Sequence, residues 1–261
     1  MSTVGRGSVV AAGSTSAALA IECIGLTKQF KDQLAVSEVS FRVPYGAVTG
    51  FVGANGSGKT TTMRMVMGLI HPTSGSATID GQPYAALANP RRTIGAALDR
   101  LGAHPGHSAR QHLWSIARSS QISVERVNAV LEIVELELAA DRRVGTYSTG
   151  MSQRLALAVA LLGEPDILLL DEPANGLDPG GIRWLRQFLR RSADTGVAVF
   201  VSTHQLAELE TIVDHLVVLD HGQVIHHSST RQLLALTQTD RLEDAVLALT
   251  DPTRTVGEPT R

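Results

Sequence analysis

The sequence has a single cysteine and no marked excess of either charge. Cys23 has no second cysteine to pair with, which excludes a disulfide-stapled secreted scaffold and favours a reducing, cytoplasmic setting. The formal net charge is -2 over 261 residues. The composition therefore does not indicate the basic surface that binding to the phosphate backbone of a nucleic acid usually requires. Nucleic acid is therefore not expected as a partner.

Long apolar runs are also missing. The longest, residues 155–162, falls well short of the roughly 20 residues that a helix needs to cross a bilayer, so no membrane span is expected. Residues 1–18 are rich in small and polar residues with Arg6 as their only charge, which predicts a disordered lead and not a signal peptide. Hydrophobic residues still make up 43% of the chain, enough for a folded core.

The first half of the sequence predicts strands followed by a glycine-rich loop. In residues 21–30 and 36–43 apolar and polar side chains alternate, as is typical of β-strands. The two segments should form an antiparallel layer. A buried strand is expected at residues 48–52, and a helix over 59–70 that Pro72 ends.

The second half predicts helices and then a parallel sheet. Residues 101–162 should form a helical lobe, because Val127, Val130, Leu131, Val134 and Leu138 recur at helical spacing. Buried strands are expected at 167–170, 197–201 and 216–219, and a helical piece after residue 227. The expected fold is α/β, a mixed sheet with helices, an antiparallel β layer and a helical subdomain.

The loop from Gly53 to Thr60 has the phosphate-loop pattern. Its glycines let successive backbone N–H groups turn towards phosphate oxygens at a helix N-terminus. Lys59 would reach the β and γ phosphates, and the Thr60 hydroxyl would ligate Mg²⁺. A flexible surface loop is the simpler alternative, which the preceding strand and the following helix disfavour.

Two adjacent carboxylates, Asp171 and Glu172, follow the buried strand at residues 167–170. Ligands of open α/β sheets bind at this end of a strand. Asp171 would hold Mg²⁺ through its water shell, and Glu172 would polarise an attacking water. The alternative is an acidic helix start.

With Ser148-Thr149-Gly150-Met151 between them, these motifs make residues 21–227 resemble the nucleotide-binding subunit of an ATP-binding cassette (ABC) transporter. The family signature, usually Leu-Ser-Gly-Gly-Gln, corresponds to residues 147–151, where Ser148 and Gly150 match. In the family this signature caps the γ-phosphate bound by the opposite subunit. A plain helix N-cap by Ser148 or Thr149 is the alternative.

The resemblance implies further roles. Asp178 would communicate across a dimer and His204 would contact the γ-phosphate, although a histidine after a strand is often only a solvated loop residue. Phe30 falls where an aromatic stacks on adenine, or else it is core. Asp99 occupies the position of a glutamine that contacts Mg²⁺, as in members resembling peptide-antibiotic and drug exporters, which also tend to share Met151.

The implied catalytic residues are Lys59, Glu172 and His204, and the implied metal ligands are Thr60, Asp99 and Asp171. The implied ATP-binding residues are Phe30, Gly53, Asn55, Gly56, Ser57, Gly58, Lys59, Thr60, Thr61, Ser148, Gly150 and Asp178. A metal site at His104, His107 and His112 is disfavoured by their irregular spacing in a loop.

The resemblance implies an ATPase that uses ATP and Mg²⁺ and pairs with a second copy. It would drive a separately encoded membrane permease, and an exporter of drugs, peptides or lipids is expected. The domain would span residues 19–227, with its helical subdomain at about 100–162 and a helical extension with a polar tail at 228–261. It would lie on the inner face of the membrane through its permease. Two alternatives stay open: a non-transport ABC protein of translation or repair, and an ATP-dependent clamp with little hydrolysis.

Overall fold

The computed structural model describes residues 18–98 and 102–250, so Asp99, residues 1–17 and the tail 251–261 lie outside the described parts. The strands in chain order are β1 Leu19–Phe30, β2 Gln33–Pro44, β3 Val48–Val52, β4 Ser74–Ile79, β5 Ile94–Ala97, β6 Ile167–Asp171, β7 Ala198–Thr203, β8 His215–Asp220 and β9 Gln223–Ser229. They form two sheets. The predicted α/β class with an antiparallel layer is confirmed.

The smaller sheet is antiparallel with strand order β2-β1-β4. The sequence predicted its first two strands but not β4, whose residues are mostly exposed and polar. The larger sheet has the order β5-β6-β7-β3-β8-β9, and all its pairs are parallel except β8 with β9. Strands β5 and β9 were not predicted either, since β5 is short and β9 is a polar edge strand.

A cluster of three phenylalanines joins the two sheets. Phe41 of β2 packs on Phe51 of β3 and on Phe200 of β7, with ring centroids 5.4 and 5.2 Å away, and the last two are 5.2 Å apart. All three side chains are buried. Each aromatic pair of this kind contributes about 1 kcal/mol beyond its buried area, so the cluster fixes the antiparallel layer on the central sheet.

Helices cover the large sheet and form a lobe beside it. In chain order they are α1 Lys59–Val66, α2 Pro90–Thr93, α3 Ala109–Ser119, α4 Val124–Ile133, α5 Thr149–Leu161, α6 Pro179–Asp194, α7 Thr230–Thr237 and α8 Leu242–Thr250. The predicted lobe corresponds to α3, α4 and α5. Within the described residues, no helix is both long and apolar enough to span a membrane.

Two predicted helical features are wrong. Helix α1 ends at Val66 and not near residue 70, because Gly68 adopts φ +65° and turns the chain. Helix α4 ends at Ile133, and Glu135 then takes φ +56°, so the helical period does not continue. Leu138 is consequently 97% exposed and lies outside the buried face.

The last two helices pack on the segment that follows β7. Leu233 and Leu242 are buried in the same cluster as Leu206 and Leu209 of that segment. The backbone N–H of Leu242 donates to Glu210 Oε1 at 2.7 Å, which supplies an acceptor at the start of α8. Residues 230–250 thus complete the core of the domain.

Candidate active site

The glycine-rich loop joins the buried strand β3 to helix α1, as predicted. Gly58 stands at the N-terminus of α1 with φ +102°, and a Cβ there would come 2.7 Å from the carbonyl oxygen of Ala35. At Gly53 a Cβ would collide with the carbonyl oxygen of Leu219. Only glycine fits both positions, so the loop can wind tightly before the helix begins.

The loop has a site that fits phosphate. Ser57 Oγ is buried and has no hydrogen-bond partner among the described residues, at the start of a helix whose free N–H groups attract anions. A phosphate oxygen is the acceptor that such a hydroxyl and such N–H groups require.

Lys59 is 5% exposed and lies over the loop. Its Nζ donates to the carbonyl oxygens of Gly53 at 2.7 Å and Ala54 at 3.1 Å, and stands 3.7 Å from Glu172 Oε1. Burial lowers the pKa of this ammonium, and the charges of Glu172 and Asp171 partly offset that effect. A cation held in this way can neutralise phosphate charge.

Thr60 and Asp171 meet at the first turn of α1. The Thr60 hydroxyl donates to Asp171 Oδ2 at 2.6 Å. A hydroxyl and a carboxylate are oxygen ligands of the kind that Mg²⁺ takes together with substrate phosphates, so the pair fits this cation. Asp99, the third predicted metal ligand, lies outside the described residues.

Glu172 is held in the left-handed region at φ +47°, which is uncommon for a residue with a side chain. Its backbone N–H donates to Ser202 Oγ at 3.0 Å, and its Oε2 accepts from Asn175 Nδ2 at 2.5 Å. The side chain is 23% exposed, so its carboxylate faces the surface beside Lys59. This is a position from which it can act on water.

His204 follows β7 and lies beside Glu172. Its Nδ1 is 3.1 Å from Glu172 Oε1, a distance suited to an ion pair when the ring is protonated. This Nδ1 atom is buried and makes no hydrogen bond with any of the described residues. Its Nε2 lies 3.1 Å from Gln205 Nε2. The histidine, whose side chain is 27% exposed, therefore stands at the same sheet edge as the carboxylates.

The parallel sheet explains why these groups meet. Strand β7 lies between β3 and β6, with Val52 opposite Thr203 and Asp171 opposite Ser202. The carboxyl ends of parallel strands share one edge, so the residues that follow each strand converge there.

Ser148 caps helix α5. Its side chain accepts from the backbone N–H of Met151 at 3.2 Å, and Thr149 is the first helical residue. Gly176 packs so closely on Thr149 that a Cβ on the glycine would collide with it. The N-cap alternative is thus correct for Ser148, and a cap of this kind leaves its hydroxyl free to donate.

Two further predicted residues have defined surroundings. Asp178 caps α6, its Oδ1 accepting from Gly181 N at 2.7 Å. Phe30 is 43% exposed at the end of β1, with Lys28 Nζ 5.1 Å from its ring centroid, so it is not a core residue. An exposed ring in this position is available for stacking.

The histidines of the helical lobe lie in a loop and at a helix. His104 and His107 have ring centroids 5.0 Å apart, and His104 Nδ1 accepts from Gly106 N–H at 3.1 Å. Burial lowers the pKa of His112, on α3, with a smaller contribution from His107. In residues 18–98 and 102–250 no group of three or more His, Cys, Asp or Glu residues could hold a metal ion.

Sequence reasoning missed two residues of this site. Asn175 contacts the Glu172 carboxylate, and Ser202 contacts both Asp171 and the backbone of Glu172. Ser202 is the residue of β7 that lies opposite Asp171 of β6. The sequence does not show this contact, because it depends on the register in which the two strands pair.

The profile of the ABC transporter family matches residues 36–175. The chain belongs to this family. The chain is 39% identical over 212 residues to the bacitracin transport ATP-binding protein BcrA of Bacillus licheniformis, covering 78% of this chain and 68% of that protein. It is 36% identical over 219 residues to the Nod factor export ATP-binding protein I of Burkholderia lata, covering 82% and 72%.

Solved ABC structures share the fold. An ATP-binding subunit of an ABC transporter superposes with a TM-score of 0.80 at 26% identity, over 88% of this chain and 99% of that one. A dimeric bacterial ABC transporter cassette, MJ0796, gives a TM-score of 0.73 at 24% identity, over 80% and 98%. This chain is therefore an ATP-binding subunit of an ABC transporter and an ATPase. Subunits of this family work with separate membrane components.

Proposed function

We propose that this chain is the Mg²⁺-dependent motor of an exporter, closing on a second copy of itself around two ATP molecules. The observation that carries the proposal is the convergence of Lys59, Thr60, Asp171, Glu172 and His204 at one sheet edge. The contacts among them bring together a buried cation, a hydroxyl–carboxylate pair and a second carboxylate beside a histidine, which are the groups that the proposed reaction uses.

The phosphates of ATP are held by the loop N–H groups of Gly56, Ser57 and Gly58 and by Lys59. Thr60 would hold Mg²⁺ directly and Asp171 through its water shell, and the ion would supply positive charge that neutralises the phosphates. Asn55 and Thr61 line the same loop and helix start, and Phe30 stacks on the adenine ring.

Hydrolysis transfers the γ-phosphoryl group to water, with ADP and phosphate as products. Glu172 accepts a hydrogen bond from the attacking water, orients it in line with the bond that breaks and takes up its proton as the new oxygen–phosphorus bond forms. His204 donates to the γ-phosphate and helps to disperse the charge that develops there. Most of the rate enhancement then comes from positioning and from charge neutralisation.

The site is completed by a second copy. Ser148 and Gly150 stand at the start of α5, where a hydroxyl and free N–H groups can meet a phosphate bound to the other chain. Asp178 lies close by at the start of α6. In the proposed dimer it transmits the closing movement from one copy to the other. The fold shared with the dimeric MJ0796 cassette supports such a pairing.

The named relatives support export. One is a bacitracin transport protein and another a Nod factor export protein, so peptides, drugs and lipid-like molecules are the proposed cargo classes. Asp99 in the place of the usual glutamine, together with Met151, fits the same branch, and Asp99 would add a carboxylate near Mg²⁺. These relatives give no support to a role in translation or repair.

A groove between the core and the helical lobe supports a permease partner. It has a volume of about 740 Å³ and is lined by β5 residues, by the loop before α4 and by Arg91, Arg92 and Arg126. Strand β5, which lines the groove, ends two residues before Asp99 in the sequence. The permease would be encoded separately and would hold the subunit at the inner face of the membrane.

The test is ATP hydrolysis by the purified chain with and without Mg²⁺, with mass measured by light scattering. We expect Mg²⁺-dependent turnover and an ATP-dependent dimer. ATP binding without any turnover, even beside its permease, would instead favour the clamp alternative.

A further inference from the structure

Ser202 lies at the junction of the two carboxylates. It is fully buried in β7 and is paired in register with Asp171 of β6. Its Oγ donates to Asp171 Oδ1, and the same oxygen accepts the backbone N–H of Glu172 at 3.0 Å. One hydroxyl therefore contacts the side chain of the first carboxylate residue and the backbone of the second.

The direction of both hydrogen bonds follows from the chemistry of the partners. A serine hydroxyl has one proton and two lone pairs. An ionised carboxylate oxygen can only accept, and a backbone N–H can only donate. The Ser202 proton must point at Asp171, and a lone pair must face Glu172, so both polar contacts are satisfied in a single arrangement.

The first contact orients Asp171. Thr60 donates to Oδ2 at 2.6 Å, and Ser202 donates to Oδ1. With a donor on each oxygen the carboxylate cannot rotate without losing a charge-assisted hydrogen bond. Its remaining lone pairs keep a constant direction beside the first turn of α1.

The second contact holds Glu172 in an unfavourable backbone conformation. At φ +47° this residue leaves the sheet ladder, so its N–H needs another acceptor. Ser202 Oγ is that acceptor. The backbone turn at Glu172 also aims the side chain at Lys59 and Asn175, so its carboxylate direction depends on the same hydroxyl.

We propose that Ser202 is a positioning residue for ATP hydrolysis, which aligns the Asp171 carboxylate and the Glu172 backbone together through one hydroxyl. This proposal rests on the roles of Asp171 and Glu172 in the proposed function. Ser202 is fully buried and so has no surface of its own to offer to ATP or to the attacking water. Its effect is transmitted through the two carboxylate residues.

Removing the hydroxyl has a specific consequence. In Ser202→Ala the Asp171 carboxylate loses one donor, and the partly buried N–H of Glu172 loses its acceptor. We expect kcat to fall about tenfold and the Mg²⁺ concentration for half-maximal nucleotide binding to rise about tenfold. ATP binding without Mg²⁺ should change by less than about twofold, because the loop residues are untouched.

The chain supplies a matched control. Thr49 of β3 is fully buried, and its hydroxyl has no hydrogen-bond partner in the described residues. Thr49→Val removes a buried hydroxyl from the strand next to β7 without touching either carboxylate. Its kcat and its Mg²⁺ dependence should equal those of the parent.

The experiment measures binding as well as turnover. Each change is made in the parent and in a Glu172→Gln background, where a fluorescent ATP analogue is titrated at a series of Mg²⁺ concentrations. Thermal unfolding is recorded for every variant. Ser202→Cys keeps a side chain of similar shape with a weaker hydrogen-bond donor. We expect its kcat and its Mg²⁺ requirement to lie between those of the parent and those of Ser202→Ala. It serves as the second variant if Ser202→Ala fails to fold.

Two results would overturn the inference: Ser202 variants that match the parent, or variants that weaken ATP binding equally with and without Mg²⁺. The second pattern would mark a general structural role. Failure of the proposed function looks different, since the parent itself would then lack Mg²⁺-dependent hydrolysis or Glu172→Gln would hydrolyse at the parent rate.

Discussion

The Thr60 hydroxyl donates a 2.6 Å hydrogen bond to Asp171 Oδ2 across 111 positions of sequence. It connects the first turn of α1 to the end of β6, two elements that share no local sequence signal. Through it the phosphate loop and the acidic pair become one site. The following predictions test the parts of that site and the core that supports it.

Glu172→Gln should retain ATP binding and lose at least about 100-fold in hydrolysis, because glutamine cannot accept a proton from the attacking water. The variant should also accumulate as an ATP-bound dimer, since closure no longer ends in hydrolysis. Phosphate release and light scattering measure the two effects. Hydrolysis at the parent rate would remove Glu172 from its proposed role.

Lys59→Ala should weaken ATP binding at least about tenfold, because the buried ammonium is the cation beside the loop. A fluorescent nucleotide titration measures the change. Lys31→Asn, in the exposed turn after β1, is the control, and asparagine tolerates the φ +48° of that position. Equal affinity in Lys59→Ala and the control would contradict the phosphate-loop assignment.

Ser148→Ala should lose both the cap of α5 and the hydroxyl offered to the second copy. We expect about 1 kcal/mol less stability and about tenfold less ATP hydrolysis. Ser123→Ala removes the equivalent cap of α4, where Ser123 accepts from Arg126 N at 3.4 Å. This control should lose similar stability and keep its activity. The same loss of activity in both variants would show that Ser148 acts only as a helix cap and not on the second copy.

Asn175→Ala should lower kcat about tenfold and change the KM for ATP little, because its amide contacts Glu172. Steady-state kinetics over a range of ATP concentrations separates the two constants. Asn128→Ala, which removes a contact with Arg110 in the helical lobe, should leave both unchanged. A raised KM with an unchanged kcat in Asn175→Ala would place the residue in nucleotide binding instead.

Phe51→Ala should cost about 3–5 kcal/mol of unfolding free energy, because it removes the centre of the phenylalanine cluster between the sheets. Urea unfolding measures this loss. Phe188→Ala on α6, where the ring is only partly buried, should cost clearly less. Similar losses in the two variants would show that the cluster does not join the sheets as described.

Much of the fold could be predicted because its signals are local. The strand Val48–Val52 is mostly apolar and runs directly into the glycine-rich loop, so neighbouring residues suffice to recognise it. Strand β4 was missed because its side chains are mostly exposed and carry no hydrophobic pattern. Leu138 was misplaced because the period of α4 continues in the sequence, while the turn at Glu135 ends it in the structure.

The sequence by itself determined the composition of the site: a phosphate loop, an acidic pair after a strand, a signature at a helix start and a histidine after a strand. Each of these pieces depends on adjacent residues and on backbone preferences that act over a few positions. The tertiary structure alone decided that Ser202 and Asn175 contact the carboxylates and that Glu172 adopts φ +47°. Ser202 acts through the pairing of β6 with β7, in which Asp171 and Ser202 are 31 positions apart. Such contacts exist only once distant strands are packed in register.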